Sequence, residues 1–187
     1  FMLEVLSLFT AYLFATQPII RKVKDRFKLD RLQESDLLSV GVLVGLSLIL
    51  GLVIGMISSI QLSVGREYVP SWVFLAVLAS FVLVQLQYLL LKHFRVIGMG
   101  LAFFMLISYV YLSSAIGTTA TLSGLPALVK NVNLLSILEG QFAGYFDGQT
   151  AGIGVFFGLL VFFGLLAVAN IFIPKKFTQT KEIESSL

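Results

Sequence analysis

The side chains in this sequence that could do chemistry are few and scattered. The single histidine, His93, stands between Lys92 and Arg95, a setting typical of a membrane–water boundary rather than of a base or a metal ligand. The chain has no cysteine, which excludes disulfides and thiolate metal sites. It also lacks a GxxxxGK[ST] motif, a Ser/His/Asp set and any metal-ligand spacing. The sequence therefore predicts no enzyme activity, no cofactor and no bound metal.

Two glutamines, Gln85 and Gln87, interrupt an otherwise apolar run. Residues two apart on a helix point about 200° apart, and neither glutamine suits a position facing lipid. We expect at least one of them to bond to a neighbouring helix, and we favour this role over a substrate contact. Glu4 lies near the start of the first apolar run, and we expect no buried acid or base near the centre of a span. Because intramembrane charges mark proton relays and ion paths, this argues against a proton-coupled transporter.

Glycines at four-residue spacing mark two of the apolar runs. They are Gly41, Gly45, Gly51 and Gly55 in one run, and Gly154 and Gly158 in another. Such spacing aligns small residues on one helix face and lets another backbone approach closely. Packing within one bundle is the favoured interpretation, and a subunit interface that would form a homodimer is the alternative.

The surrounding chain has the composition of a membrane protein. Of its 187 residues, 58% are hydrophobic and 12% are charged, and the mean hydropathy is +0.97, whereas soluble domains hold about 25% charged residues. Five stretches are long and apolar enough to span a bilayer as helices. They cover about 1–20, 37–60, 71–91, 96–117 and 151–173. The predicted fold class is all-α, a polytopic membrane helix bundle.

The basic residues are distributed unevenly among the loops. Loop 21–36, turn 92–95 and tail 174–187 together hold eleven of the 13 Lys and Arg residues. The positive-inside rule assigns these three segments to the cytoplasm, with the N-terminus outside and the C-terminus inside. The pI near 9.2 then reflects membrane topology rather than nucleic-acid binding. An outside N-terminus also predicts at least one further span before Phe1.

Segment 118–150 is too polar to span a bilayer and too apolar to be a free loop. Its apolar stripe has helical spacing and consists of Leu125, Leu128, Val129, Val132 and Leu135. We expect a short external helix that lies at the membrane surface or dips into it as a re-entrant element. A helix that dips needs shelter for its backbone from other helices.

The stretch RKVKDRFKLDRLQESD, residues 21–36, gathers ten charges into sixteen residues. A topology signal is the favoured interpretation, but a few positive charges suffice for that role, as turn 92–95 shows. Val23 and Phe27 add a thin apolar stripe beside Arg26 and Arg31. The alternative is therefore a docking helix for a cytoplasmic partner.

In their order along the chain, these features resemble the C-terminal membrane half of the YhgE/Pip family. A charged segment follows the first span, and a basic turn joins the third and fourth spans. Small residues at 113–118 end the fourth span, and a Leu125-Pro126 helix precedes a Gly/Phe-rich last span. The resemblance implies an ABC-2-transporter-like architecture, in which one span precedes a large extracellular domain and five follow it. Residues 118–121 and 133–136 depart from the Thr-Phe-Pro and Pro-rich stretches of the wider family, which favours its EsaA/YueB branch.

The EsaA/YueB proteins are membrane components of the type VII (ESX-like) secretion system of Gram-positive bacteria, and YueB also serves as a phage receptor through its ectodomain. The resemblance implies a structural subunit of the bacterial cell membrane that anchors an extracellular domain. Its implied partners are membrane lipid, a second copy and other secretion subunits, including an FtsK/SpoIIIE-type ATPase. Two alternatives remain: the permease subunit of an ABC-2 exporter with a separate ATPase, and a polytopic receptor or lipid-handling protein.

Single cysteines introduced into this cysteine-free chain test the orientation. Arg66→Cys should react with a membrane-impermeant maleimide added outside intact cells, whereas Lys24→Cys should react only after the membrane is opened. This is because the two loops are predicted to lie on opposite sides of the membrane. Mass shifts of the labelled protein provide the measurement, and the reverse pattern would contradict the topology.

Overall fold

Helices are the regular elements of the computed structural model, which describes residues 2–16, 37–114 and 124–173. In chain order they are α1 (Met2–Thr16), α2 (Leu37–Gln61), α3 (Val69–Phe94), α4 (Val96–Ser114), α5 (Leu125–Val132), α6 (Leu134–Gly144), a 3₁₀ turn (Tyr145–Asp147) and α7 (Ile153–Phe172).

Three of these helices, α2, α3 and α7, are long and apolar enough to cross a membrane. Helices α1 and α4 are also apolar, but their stretches Met2–Ala15 and Val96–Tyr111 are shorter. The prediction of an all-helical membrane protein is thus confirmed, while five spans and an ABC-2-like arrangement stay predictions.

Helix α3 is the centre of the bundle, and α1, α2, α4 and α7 all pack against it. In its most apolar 18-residue window 67% is buried, compared with 28% for α2 and 11% for α7. Small residues such as Ala79 and Ser80, both fully buried, let the surrounding helices come close. The other spanning helices therefore present most of their apolar surface to the outside of the bundle.

Two glycines bring α2 into close contact with α3. A Cβ atom on Gly51 would lie 2.5 Å from the Cα of Val77, and one on Gly55 would lie 3.1 Å from the Cα of Val73. Because residue numbers rise along α2 as they fall along α3, the two helices are antiparallel. A side chain at either glycine would push the backbones apart.

Helix α7 runs in the same direction as α3. The rings of Phe74 and Phe156 lie 5.3 Å apart, and those of Phe81 and Phe163 lie 5.0 Å apart. Residue numbers rise from the first pair to the second along both helices, so α7 and α3 are parallel.

Helix α1 lies beside the second half of α3. Leu3 packs in a cluster with Leu83, whereas Leu8 and Ala11 pack in the cluster that contains Leu91. The first turn of α1 is thus level with the middle of α3, and the two helices run parallel.

A one-residue turn at Arg95 folds α4 back on α3. Arg95 has a positive φ of 46°, and the missing side chain of Gly98 leaves room for the carbonyl group of Leu90. Helix α4 is therefore antiparallel to α3, so that α1, α3 and α7 run one way and α2 and α4 the other.

The segment expected to form one short helix contains two, joined by an elbow at Asn133. This residue has an extended backbone, with φ −71° and ψ 115°, which interrupts the apolar stripe before Leu135. Helix α6 starts level with the middle of α3 and is followed directly by Tyr145, whose ring lies 5.5 Å from that of Trp72 near the start of α3. The elbow therefore lies about halfway along the central helix.

Replacing Gly51 with alanine tests the close α2–α3 contact. The new methyl group would overlap backbone atoms of α3, so we expect a loss of about 1–3 kcal/mol of stability from overpacking. Gly45→Ala in the same helix is the matched control, since a Cβ there meets nothing within 4 Å and alanine favours the helix by roughly 1 kcal/mol. Unfolding in detergent followed by circular dichroism gives both values, and equal stability of the two variants would contradict the packing.

Candidate functional site

Polar side chains connect α3 to α1, α2 and α7, and we call this set the polar belt. Its members are Glu4, Ser47, Ser80, Gln85, Gln87, Lys92 and Asn170, all of which are buried. Buried polar groups in an apolar setting are stable only when they find hydrogen-bond partners. The belt therefore determines which helices may lie next to one another.

Glu4 and Gln87 join α1 to α3. The Nε2 atom of Gln87 donates to Oε1 of Glu4 at 2.6 Å, and both side chains are 0% exposed. Gln87 lies about 8 Å along the axis from the midpoint of α3. Glu4 lies near the start of its apolar run, as the sequence indicates, but α1 starts level with the middle of α3, so the carboxyl group is buried inside the bundle.

Gln85 and Asn170 join α3 to α7. The Nδ2 atom of Asn170 donates to both the side-chain Oε1 and the backbone oxygen of Gln85, each at 2.9 Å. The two glutamines thus point to different helices, as their spacing requires. Sequence reasoning missed Asn170, although an asparagine within a long apolar run is a signal for this kind of contact.

Lys92 binds the end of α7. Its Nζ atom donates to the backbone oxygens of Asn170 at 2.6 Å and Ile173 at 3.0 Å. The last carbonyl groups of a helix have no partner within that helix, and a cation satisfies them well. Lys92 therefore fixes the end of α7 to the α3–α4 turn, a role that its place in a basic turn did not reveal.

Ser47 and Ser80 join α2 to α3 close to Gly51. The Oγ atom of Ser80 donates to the backbone oxygen of Ser47 at 2.6 Å. This bond crosses between helices and is possible because the glycine contact brings the backbones together. It adds a polar link to the most closely packed pair of helices.

Several atoms of the polar belt have no hydrogen-bond partner among the described residues. They are Oε2 of Glu4, Oε1 of Gln87, Nε2 of Gln85 and Oδ1 of Asn170. Each unsatisfied buried group costs about 1–3 kcal/mol, so the belt keeps unused hydrogen-bonding capacity. Its members include no nucleophile paired with a base, and their arrangement is suited to joining helices.

Aromatic residues close the opposite end of the bundle, where α3 begins. Nε1 of Trp72 donates to Oγ of Ser58 at 2.9 Å, and the hydroxyl groups of Tyr145 and Ser71 lie 2.6 Å apart. Aromatic side chains with a polar tip are typical of membrane–water boundaries. This cluster fixes the end of α6 to α3.

Asn133 fixes the elbow to α4. Its Oδ1 atom accepts from the backbone nitrogen of Leu135, which caps α6, while Nδ2 donates to the backbone oxygen of Met105 and to Oγ of Ser108; all three distances are 2.9 Å. One side chain thus caps one helix and binds another. Sequence reasoning missed this link between α6 and α4.

The remaining predicted site residues lie in different places. Gly51 and Gly55 pack against α3, whereas Gly41, Gly45, Gly154 and Gly158 have no atom within 4 Å of the position of a Cβ. The docking residues proposed from the sequence, Val23, Arg26, Phe27 and Arg31, lie outside the described residues. His93 lies at the α3–α4 turn, where its Nδ1 donates to the carbonyl oxygen of Leu89 at 3.0 Å. In the described ranges no three His, Asp or Glu side chains are grouped as metal ligands.

The family to which the chain belongs follows from a match over almost the whole helical bundle. A family model described as the EsaA helical domain matches residues 1–171, from before α1 almost to the end of α7. The chain belongs to the EsaA helical domain family. This membership confirms the EsaA part of the resemblance and relates the chain to type VII secretion, while the YhgE/Pip and ABC-2 parts are not confirmed. The comparisons with curated proteins and with solved structures gave no match.

In this EsaA helical domain the Glu4–Gln87 pair can be tested by substitution. Gln87→Leu alone leaves a buried carboxyl group without its donor, and we expect a loss of roughly 1–3 kcal/mol or more. The Glu4→Leu/Gln87→Leu double variant should recover most of this loss, because two apolar side chains of similar size need no partner. Denaturant titrations of the three proteins in detergent give the coupling, and purely additive losses would contradict it.

Proposed function

We propose that this chain is the membrane-embedded helical part of a type VII secretion component, which anchors a large extracellular domain and docks on other secretion subunits. The observation that carries the proposal is the match of the EsaA helical domain to residues 1–171. The polar belt supports it, because its hydrogen bonds join helices into one unit. We further propose that the domain has no enzymatic activity and needs no cofactor.

Five membrane spans, with the N-terminus outside and the C-terminus in the cytoplasm, form part of the proposal. The alternating directions of α2, α3, α4 and α7 support four of these crossings, and the concentration of basic residues in alternate loops supports the orientation. Helix α1 runs parallel to α3 beside its second half. In this proposal loop 21–36 and the turn at Lys92 and Arg95 both face the cytoplasm. The extracellular domain would then be carried on the side where α3 begins.

Loop 21–36 is the proposed docking segment for a cytoplasmic or membrane partner, such as an FtsK/SpoIIIE-type ATPase. Val23 and Phe27 supply apolar contact, and Arg26 and Arg31 supply charge. A homodimer is proposed through the open glycine faces of α2 and α7, which no other helix of the described residues covers. A permease of an ABC-2 exporter is not favoured, since the family match points to EsaA.

Co-purification from native membranes tests the proposal. The Val23→Asp/Phe27→Asp variant should insert normally but recover several-fold less of the other secretion subunits, because charge disrupts an apolar contact. Leu29→Asp is the matched control, as it makes the same kind of change on the opposite side of a helix with this stripe. Quantitative mass spectrometry of the recovered proteins provides the measurement.

The two possible failures of this experiment are distinct. If an ABC ATPase is recovered with the wild-type chain and no secretion subunit is found, the proposed function is wrong. If secretion subunits are recovered equally with the wild type, the double variant and the Leu29→Asp control, the proposed function stands but the docking role of loop 21–36 is contradicted.

A further inference from the structure

A crevice of about 620 Å³ opens to the side of the bundle below the elbow at Asn133. Its floor is Leu86 of α3, and its walls include Phe104 of α4 and Phe162 of α7. Helices α4 and α7 both pack on α3 without packing closely on each other. Helix α6 fills the space between them only beside the first half of α3, so the crevice is the part that α6 leaves empty.

The crevice offers apolar surface and almost no hydrogen bonds. Its two polar lining residues are Asn133 and Ser108, and they already bond to each other at 2.9 Å. Nδ2 of Asn133 also donates to the backbone oxygen of Met105, its Oδ1 accepts from the nitrogen of Leu135, and Oγ of Ser108 donates to Met105 at 3.1 Å. An occupant must therefore be hydrocarbon.

The position of the crevice points to lipid. Phe104 at its mouth is 61% exposed, and the floor belongs to α3, one of the helices that can cross a membrane. Arg95 lies nine residues before Phe104, a distance of about 13 Å along the axis of α4. A hydrocarbon chain that extends from the crevice along α4 thus brings its polar end near the exposed Arg95, whereas Lys92 is buried and binds the end of α7.

We propose that the crevice binds one acyl chain of an anionic phospholipid, with the headgroup at the basic α3–α4 turn. Its volume falls within the range of roughly 300–1,000 Å³ that is usual for small-molecule sites. Positive side chains beside a membrane attract anionic lipids, which favours phosphatidylglycerol over phosphatidylcholine. The site requires only that α3 crosses the membrane, so it does not depend on the proposed role in secretion.

Native mass spectrometry of the intact chain in detergent tests the site, with phosphatidylglycerol or phosphatidylcholine added at equal concentrations. The wild type should retain one phosphatidylglycerol more strongly than others, with about a fivefold preference over phosphatidylcholine for each basic side chain involved. Leu86→Trp should remove this adduct by filling the floor of the crevice. Leu160→Trp is the matched control, because Leu160 is an exposed residue of α7 that does not line the crevice.

A second variant distinguishes loss of the lipid site from misfolding of the protein. Val132→Trp narrows the crevice from its exposed roof, so it should remove the adduct while the melting temperature stays that of the wild type. The proposal is overturned if the wild type retains no lipid, or if Leu160→Trp loses it equally. It is also overturned if both crevice variants convert a dimer into a monomer with no change in bound lipid, since a second copy would then be the occupant.

Discussion

The arrangement of the bundle depends on one constraint, which is that buried polar side chains of α3 are stable in hydrocarbon only when they bond to neighbouring helices. Hydrocarbon supplies no hydrogen bonds, and α3 is surrounded by protein over most of its circumference. Gln87 meets Glu4 on α1, Gln85 meets Asn170 on α7, and Ser80 meets the backbone of Ser47 on α2. These contacts specify the neighbours of α3 more strictly than apolar packing can, because lipid competes with leucine but not with a buried amide.

The elbow at Asn133 follows from the same constraint. A chain that turns back halfway along the bundle exposes backbone groups where no water is present, so one side chain caps α6 and also binds α4. The turn has a geometric consequence. Because α6 begins at this height, the described helices fill the space between α4 and α7 at one end of the bundle and leave the apolar crevice next to the elbow.

Much of the fold could be predicted from the sequence. The long helices α2, α3 and α7 lie close to three of the predicted spans, since long apolar runs have one stable form in lipid. The EsaA resemblance was also correct, because the order of spans, basic turn and Leu125 helix is a linear feature. The elbow was less predictable, as Leu128, Val132 and Leu135 keep helical spacing across the break at Asn133.

The contacts of the candidate site could be predicted from the sequence only in part. By itself the sequence determined a helical membrane protein, its apolar runs, its charge asymmetry and the need of Gln85 and Gln87 for partners, because these follow from composition and local spacing. Only the tertiary structure decided that Glu4 lies deep beside Gln87, that Asn170 and Lys92 join α7 to α3, and that Gly51 touches another helix while Gly45 does not. The physical reason is that depth and partnership depend on how far one helix is shifted along another, and that shift is set by contacts between residues distant in the chain.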